Sequence, residues 1–396
     1  MPPLVSMTTE SDHDVVAIAA SLSACVAAYG VYLGLPLILG ALADTYGFSN
    51  AQVGWIGAAE NAGLLIGSIA VSTLGRTLNF KTLACLGIAV AGTGDAITMG
   101  VNTFTVFCIV RLFAGFGSGL CYSAAIASLS LTRRATRNFS VFIVVLTIAN
   151  SVELWTIPGI VSMWGVRGLY ATLGSLFLVP LVLIRHMPAA TSAQSPRAAA
   201  AGPTPKIPTS LVWSCLSAVV LFNVAASAFW AYSERIGASI GMSDRSVSNT
   251  LTICNLISLT GSMLAYALHR RWGQHRPQLG AIAIMIMVFA VWSVQLSPTL
   301  FGIGVLLFFE VWTMASVYQL GTLTAIDSTG RRVALIPAAQ GIGQSAGPFI
   351  AGALLGMQFN FSQMLLAVDL FAAGSFVLYA MAYGRLRRLD IVLANR

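Results

Sequence analysis

The sequence predicts an all-α integral membrane protein with twelve transmembrane helices arranged as two six-helix bundles. Three observations carry this. Only 9% of the 396 residues are charged and 57% are hydrophobic, against roughly a quarter charged in ordinary globular chains. Windows of about 20 predominantly apolar residues, the length a helix needs to cross a bilayer, succeed one another along nearly the whole chain. After six of them, the stretch "RHMPAATSAQSPRAAAAGPTPKIP" (185–208) offers no apolar face and is rich in Pro, Ala, Ser and Thr, the composition of a linker.

The spans fall at 15–41, 52–75, 82–101, 104–131, 139–162 and 167–184 in the first half. In the second they fall at 209–233, 246–268, 277–296, 299–325, 333–357 and 361–383. They are long, uniformly apolar and often glycine-rich, whereas barrel strands alternate over about ten residues. The chain therefore divides into a tail (1–14), a first bundle (15–184), the linker (185–208), a second bundle (209–384) and a tail (385–396). Residues 1–14 carry Glu10, Asp12 and Asp14 but no base, so they lack the basic start of a cleaved signal, and the first helix is expected to persist.

If the spans alternate, nearly every base falls on one side: Arg76, Lys81, Arg133, Arg134, Arg137, Arg185, Arg197, Lys206, Arg270, Arg271, Arg276, Arg331, Arg332, Arg385, Arg387 and Arg388. Only Arg167, Arg235 and Arg245 face the other. The positive-inside rule then puts both termini in the cytoplasm, in a multi-pass protein of the cell's inner (plasma) membrane. The net charge of +8 belongs to these loops, so the partner is the lipid bilayer and not nucleic acid. Six cysteines stand singly within spans, and the four histidines lie in the tail or the loops. This spacing offers no metal site, no disulfide framework and no cofactor motif. Nor is there a Ser-His-Asp, HExxH or Cys-His constellation to make a membrane enzyme.

The two halves look related. An offset of 194 residues separates Gly47 from Gly241, Ser49 from Ser243, Gly67 from Gly261 and Arg76 from Arg270, as a parallel-repeat transporter requires. In the fourth span, "FCIVRLFAGFGSGL" places Arg111-x-x-x-Gly115-x-Gly117. No strand precedes these glycines, which excludes a phosphate-cradling loop. The loop "HRRWGQHR" holds Arg270, Arg271, Gly273 and Arg276, while "TLGRTLNFKT" keeps Gly75, Arg76 and Lys81 without an acid. In span count, linker, fourth-span arginine–glycine motif and basic-glycine loop, the chain resembles the major facilitator superfamily. The resemblance implies alternating access and ties the fourth-span arginine to proton coupling. It also implies that spans one, two, four, five, seven, eight, ten and eleven surround the substrate path.

Arg111 is the single deep base, and a central ion costs roughly 2.5–3.5 kcal/mol even on the permissive insertion scale. It therefore needs a partner or water. By depth, Glu60 and Arg111 each lie about 12 Å below the ends of their spans, and Glu153 about 21 Å up from the opposite side, so the three are level. Arg111 either ties helices together permanently or binds a carboxylate or an anionic solute while Glu60 or Glu153 takes a proton. Glu60, Arg111 and Glu153 are thus the candidate proton-coupling residues. Asp95 and Asp369 sit on spans that the resemblance puts outside the path, and they are left out of the site.

Asn223, Ser227, Trp230 and Glu234 form a polar stripe on the seventh span; Glu310 sits on the tenth, and Gln340 and Gln344 on the eleventh. These groups either line a cavity or bond between helices. Tyr29 and Tyr32 on the first span, Trp155 on the fifth and Trp230 add aromatic surface that serves as solute wall, packing or interface anchor. The candidate solute-binding set is Arg111, Tyr29, Tyr32, Trp155, Asn223, Trp230, Glu310, Gln340 and Gln344. The expected function is proton-coupled uptake, by a monomer, of a small organic solute that is anionic or aromatic. Many exporters of the superfamily carry a Gly-Pro motif in the fifth span. "NSVELWTIPGI" lacks it, which makes a proton-driven exporter of hydrophobic compounds the alternative. A membrane enzyme, receptor or channel ranks lower.

Overall fold

The computed structural model describes residues 6–132, 135–188, 190–191, 208–326 and 335–388. Arg133, Arg134, Arg197, Lys206, Arg331, Arg332, most of the linker and the last eight residues lie outside the described residues.

All regular structure among the described residues is helical. The helices are α1 (Ser6–Leu33), α2 (Leu35–Tyr46), α3 (Asn50–Leu74), α4 (Phe80–Thr98), α5 (Phe104–Ser130), α6 (Ala135–Leu176) and α7 (Leu178–Leu183), followed by α8 (Thr209–Ser239), α9 (Asp244–Ile257), α10 (Leu259–Trp272), α11 (His275–Val294), α12 (Pro298–Ile326), α13 (Ile336–Gly356) and α14 (Phe361–Arg388). Ten stretches among the described residues are long and apolar enough to cross a membrane. One of them, 137–186, contains the fifth and sixth spans, and α13, made less apolar by Gln340 and Gln344, completes twelve. The fifth and sixth spans meet at Gly165, whose φ of 64° lies where side chains are strained. A loop was expected there, and one glycine makes the turn.

Among the described residues three spans are interrupted. The sixth divides at Phe177, between α6 and α7. The first divides at Gly34 because Pro36 has no N–H for the carbonyl of Tyr32, four residues back. The eighth divides at Ser258, whose ψ of −16° is that of a tightened turn.

Packing resolves two compact units. Unit 1 comprises Met1–Gly34 and Ala59–Ala198; unit 2 comprises Leu35–Ala58 and Ala199–Arg396. Residues 35–58, which sequence order places in the first bundle, therefore pack with unit 2. Within that unit the Tyr232 hydroxyl donates to the Asn50 carbonyl, Arg235 donates to Asp44 at 2.6 Å, and a methyl at Gly40 would lie 2.1 Å from Oε2 of Glu234. The core of unit 1 gathers small residues such as Ala24, Ala84, Ala124 and Ala125, which let helix backbones approach. Unit 2 is filled by rings, with Phe229 between Phe289, Trp292 and Phe308.

The 194-residue repeat is visible in the backbone. Gly47 and Gly241 both have positive φ, 68° and 82°. Two residues on, Ser49 and Ser243 each accept from the third residue that follows, Gln52 and Ser246, at 3.3 Å. Gly67 abuts the Phe116 carbonyl and Gly261 that of Glu310, two contacts related by the same offset.

Candidate functional site

The glycines of the fourth span serve two neighbours. A methyl at Gly115 would lie 2.1 Å from the Glu60 carbonyl oxygen, and one at Gly119 the same distance from that of Leu64. From the other side, Gly63 and Gly67 meet the Leu112 and Phe116 carbonyls equally closely. Gly117, half a turn away, abuts Ala91 of α4. Thus α5 lies backbone to backbone with α3 along one stripe and with α4 along another, as small residues permit in a membrane.

This approach brings three ionisable groups together. Arg111, 1% exposed, donates from Nε to Oε2 of Glu60 at 2.7 Å and from Nη1 to Oδ1 of Asp95 at 2.7 Å. Nη1 also donates to Oγ1 of Thr98 at 3.2 Å, and the Thr98 hydroxyl in turn donates to the Gly94 carbonyl. The guanidinium carbon stands 4.9 Å from the ring centroid of Tyr170, a cation–π distance. Nη2 is buried without a hydrogen-bond partner. One positive charge thus faces two carboxyls, and a single proton on either leaves the cluster neutral.

Glu60 is the partner its depth indicates. Asp95, left out of the site by sequence reasoning, is the second. Glu153 is not among the Arg111 partners: its Oε1 is buried, makes no hydrogen bond and rests against the first span at Gly34. Tyr29 stacks on Tyr122 with centroids 4.1 Å apart and touches Tyr32 at 4.9 Å. Trp155 is about half exposed.

In unit 2, Asn223 and Ser227 are buried and committed to backbone. Nδ2 of Asn223 donates to the Val219 carbonyl at 2.9 Å, and the Ser227 hydroxyl donates to Asn223 at 2.6 Å and across to Gly343 of α13 at 3.0 Å. Ser227→Ala is accordingly expected to loosen the α8–α13 contact by about 0.6 kcal/mol, the average for such bonds, lowering the unfolding temperature in detergent slightly. Trp230 is buried edge-on to Phe309 and Trp312. Glu310 accepts from the Thr260 hydroxyl at 2.6 Å. Gln340 and Gln344 are half-buried on α13. The candidate residues are therefore divided between the units: Tyr29, Tyr32, Glu60, Arg111, Glu153 and Trp155 in the first, Asn223, Trp230, Glu310, Gln340 and Gln344 in the second.

At the repeat-related positions of unit 2, 194 residues on from Glu60, Asp95 and Arg111, stand Cys254, Phe289 and Val305, all buried. The repeated fold packs there without charge.

Twelve spans in two compact units, the first of which holds an intramembrane arginine cluster, are the architecture of a membrane transporter. The sequence profile of the Major Facilitator Superfamily matches residues 20–334, and the chain belongs to that family; it is a multi-pass membrane transporter and not an enzyme. Among solved structures it is similar to a bacterial homolog of the human lysosomal transporter Spinster, with 12% identity, coverage of 97% of this chain and 98% of that one, and a TM-score of 0.76. It is also similar to a D-xylose-proton symporter (14% identity, 93% and 97% coverage, TM-score 0.72) and to the nucleoside transporter NupG (13% identity, 95% and 99% coverage, TM-score 0.69). No curated protein sequence matches the chain.

Proposed function

We propose that the chain is a proton-coupled importer of a small organic solute, anionic or aromatic, acting as a monomer in the inner (plasma) membrane with both termini cytoplasmic. Alternating access is the motion of two six-helix repeats about a central site. One observation carries the coupling. Arg111 is held by two carboxyls in unit 1, where the related positions of unit 2 are apolar, so the charges exceed what the fold needs. Charges kept in hydrocarbon at that cost mark a relay or a substrate contact. A proton on Glu60 or Asp95 frees one donor of the guanidinium fork, and with the spare Nη2 the arginine then matches a carboxylate in two-point fashion. The aromatic side chains of both units suit a ring-bearing solute. Likeness to a D-xylose-proton symporter supports proton coupling, and the basic loops support the orientation.

The test is uptake into proteoliposomes under an imposed pH gradient, with labelled aromatic carboxylates as probes and an uncharged aromatic and a sugar for comparison. Accumulation that collapses with the gradient is expected. Glu60→Gln and Asp95→Asn are each expected to keep exchange of preloaded probe within a few-fold while losing the accumulation, up to about tenfold per coupled proton, that one pH unit can drive. Efflux driven by the gradient, with no uptake, would replace this reading with that of an exporter.

A further inference from the structure

We propose that Glu153 is a positioning residue that transmits its protonation state to the first span at Gly34, separately from the Arg111 cluster. The inference rests on the proton-coupled reading and adds a second proton-responsive point to it.

Four observations converge. The first span is interrupted at Gly34, where Pro36 removes a helical donor. The Glu153 carboxyl is lodged at that interruption: a methyl at Gly34 would lie 2.7 Å from its Oε1 and 2.6 Å from Cδ1 of Ile157, and a methyl at Gly30 would lie 3.8 Å from the same oxygen. Oε1 is buried and has no hydrogen-bond partner. Finally, Gly34 is the last residue of unit 1 on this span, and the next residue packs with unit 2. A related placement occurs within unit 2, where Glu310 meets α10 at Gly261, beside the interruption at Ser258. There the Thr260 hydroxyl supplies a donor; Glu153 has none.

Oε1 of Glu153 lies against Gly30 and Gly34 of α1, and Ile157, Leu173 and Leu176 of its own helix lie beside the same glycines. None of them titrates or carries charge, and neither Arg111 nor Arg235 pairs with Glu153. Glu153 as a whole is half-buried, and a neutral carboxyl tolerates having Oε1 in this apolar contact. A carboxylate does not, since an ion in an apolar setting requires donors or water. Loss of the proton therefore requires α1 to yield at Gly34 and admit water, and protonation lets the glycine face close again. Interrupted helices are where transporters place such groups, because irregular backbone within a membrane is tolerated where it lines a cavity.

Hydrogen exchange of the full chain in phospholipid nanodiscs, followed on peptides covering residues 28–40 and corrected for the intrinsic pH dependence of exchange, tests this. Wild type is expected to lose about tenfold in protection there on passing from mildly acidic to mildly alkaline buffer. Glu153→Gln is expected to hold the protected value in both buffers, and Glu153→Asp to retain the response. Gly34→Ala, which displaces the carboxyl, is expected to lower protection in both. Asp369→Asn, an acid outside the site, is expected to respond like wild type. A pH-independent wild type, or a Glu153→Gln chain that responds as wild type does, overturns the proposal. Exchange is read without transport, so gradient-driven uptake alongside a silent first span would sink this inference alone, whereas a responsive span without gradient-driven uptake would sink the proposed function.

Discussion

Replacing Arg111 by leucine is expected to cost about 3–5 kcal/mol of stability, the price of removing one partner from a buried charge cluster, and to abolish coupled transport. Glu60 and Asp95 each lose a 2.7 Å charge-assisted bond, and Tyr170 loses the cation beside its ring. No solvent compensates, because Glu60 is 2% and Asp95 3% exposed. The loss shrinks in acid, since each carboxyl that gains a proton removes an uncompensated charge. Combining Arg111→Leu with Glu60→Gln and Asp95→Asn is expected to recover most of the stability, as the apolar counterparts Cys254, Phe289 and Val305 indicate, but none of the coupling. Thermal unfolding in detergent across pH, beside uptake assays, separates the two effects. Full recovery of transport in the triple variant would make the cluster a packing device.

The second large effect is steric. Gly115→Ala places a methyl 2.1 Å from the Glu60 carbonyl oxygen, a backbone atom that cannot rotate away. The α3–α5 crossing must widen, at about 1–3 kcal/mol, and the Glu60–Arg111 geometry loosens with it. Gly92→Ala is the internal control. Nothing lies within 4 Å of a methyl there, and within α4 the change should gain up to about 1 kcal/mol from helix propensity. Expression level and unfolding temperature of the two variants read this contrast directly; equal behaviour would mean that α3 and α5 do not touch as described.

Depth was legible in the sequence, and direction around the helix was not. Hydropathy located the spans because a bilayer leaves backbone no alternative to helix, and counting residues put Glu60 level with Arg111. The same count reaches Asp95, about six residues or 9 Å from the hairpin that joins the third and fourth spans. It was set aside because analogy placed the third span away from the path. The closeness of α4 to α5 follows instead from Gly87 and Gly117, and that signal was present in the sequence. Glu153 differs in azimuth, since its helix turns the carboxyl toward Gly34. Interruption of the first span is signalled by Gly34 and Pro36, which a hydropathy window passes over. The assignment of residues 35–58 to unit 2 depends on contacts such as Arg235 with Asp44, which no local pattern announces.

The central claim is that a carboxyl bound to Arg111 takes up and releases the coupled proton. Infrared difference spectroscopy of the chain in lipid, comparing acidic with alkaline buffer, follows the carbonyl stretch of a protonated carboxylic acid. The account predicts a protonation band in wild type from which Glu60→Gln or Asp95→Asn removes a component, leaving that of Glu153, and which Glu310→Gln leaves unchanged. A band unchanged in both cluster variants would contradict it.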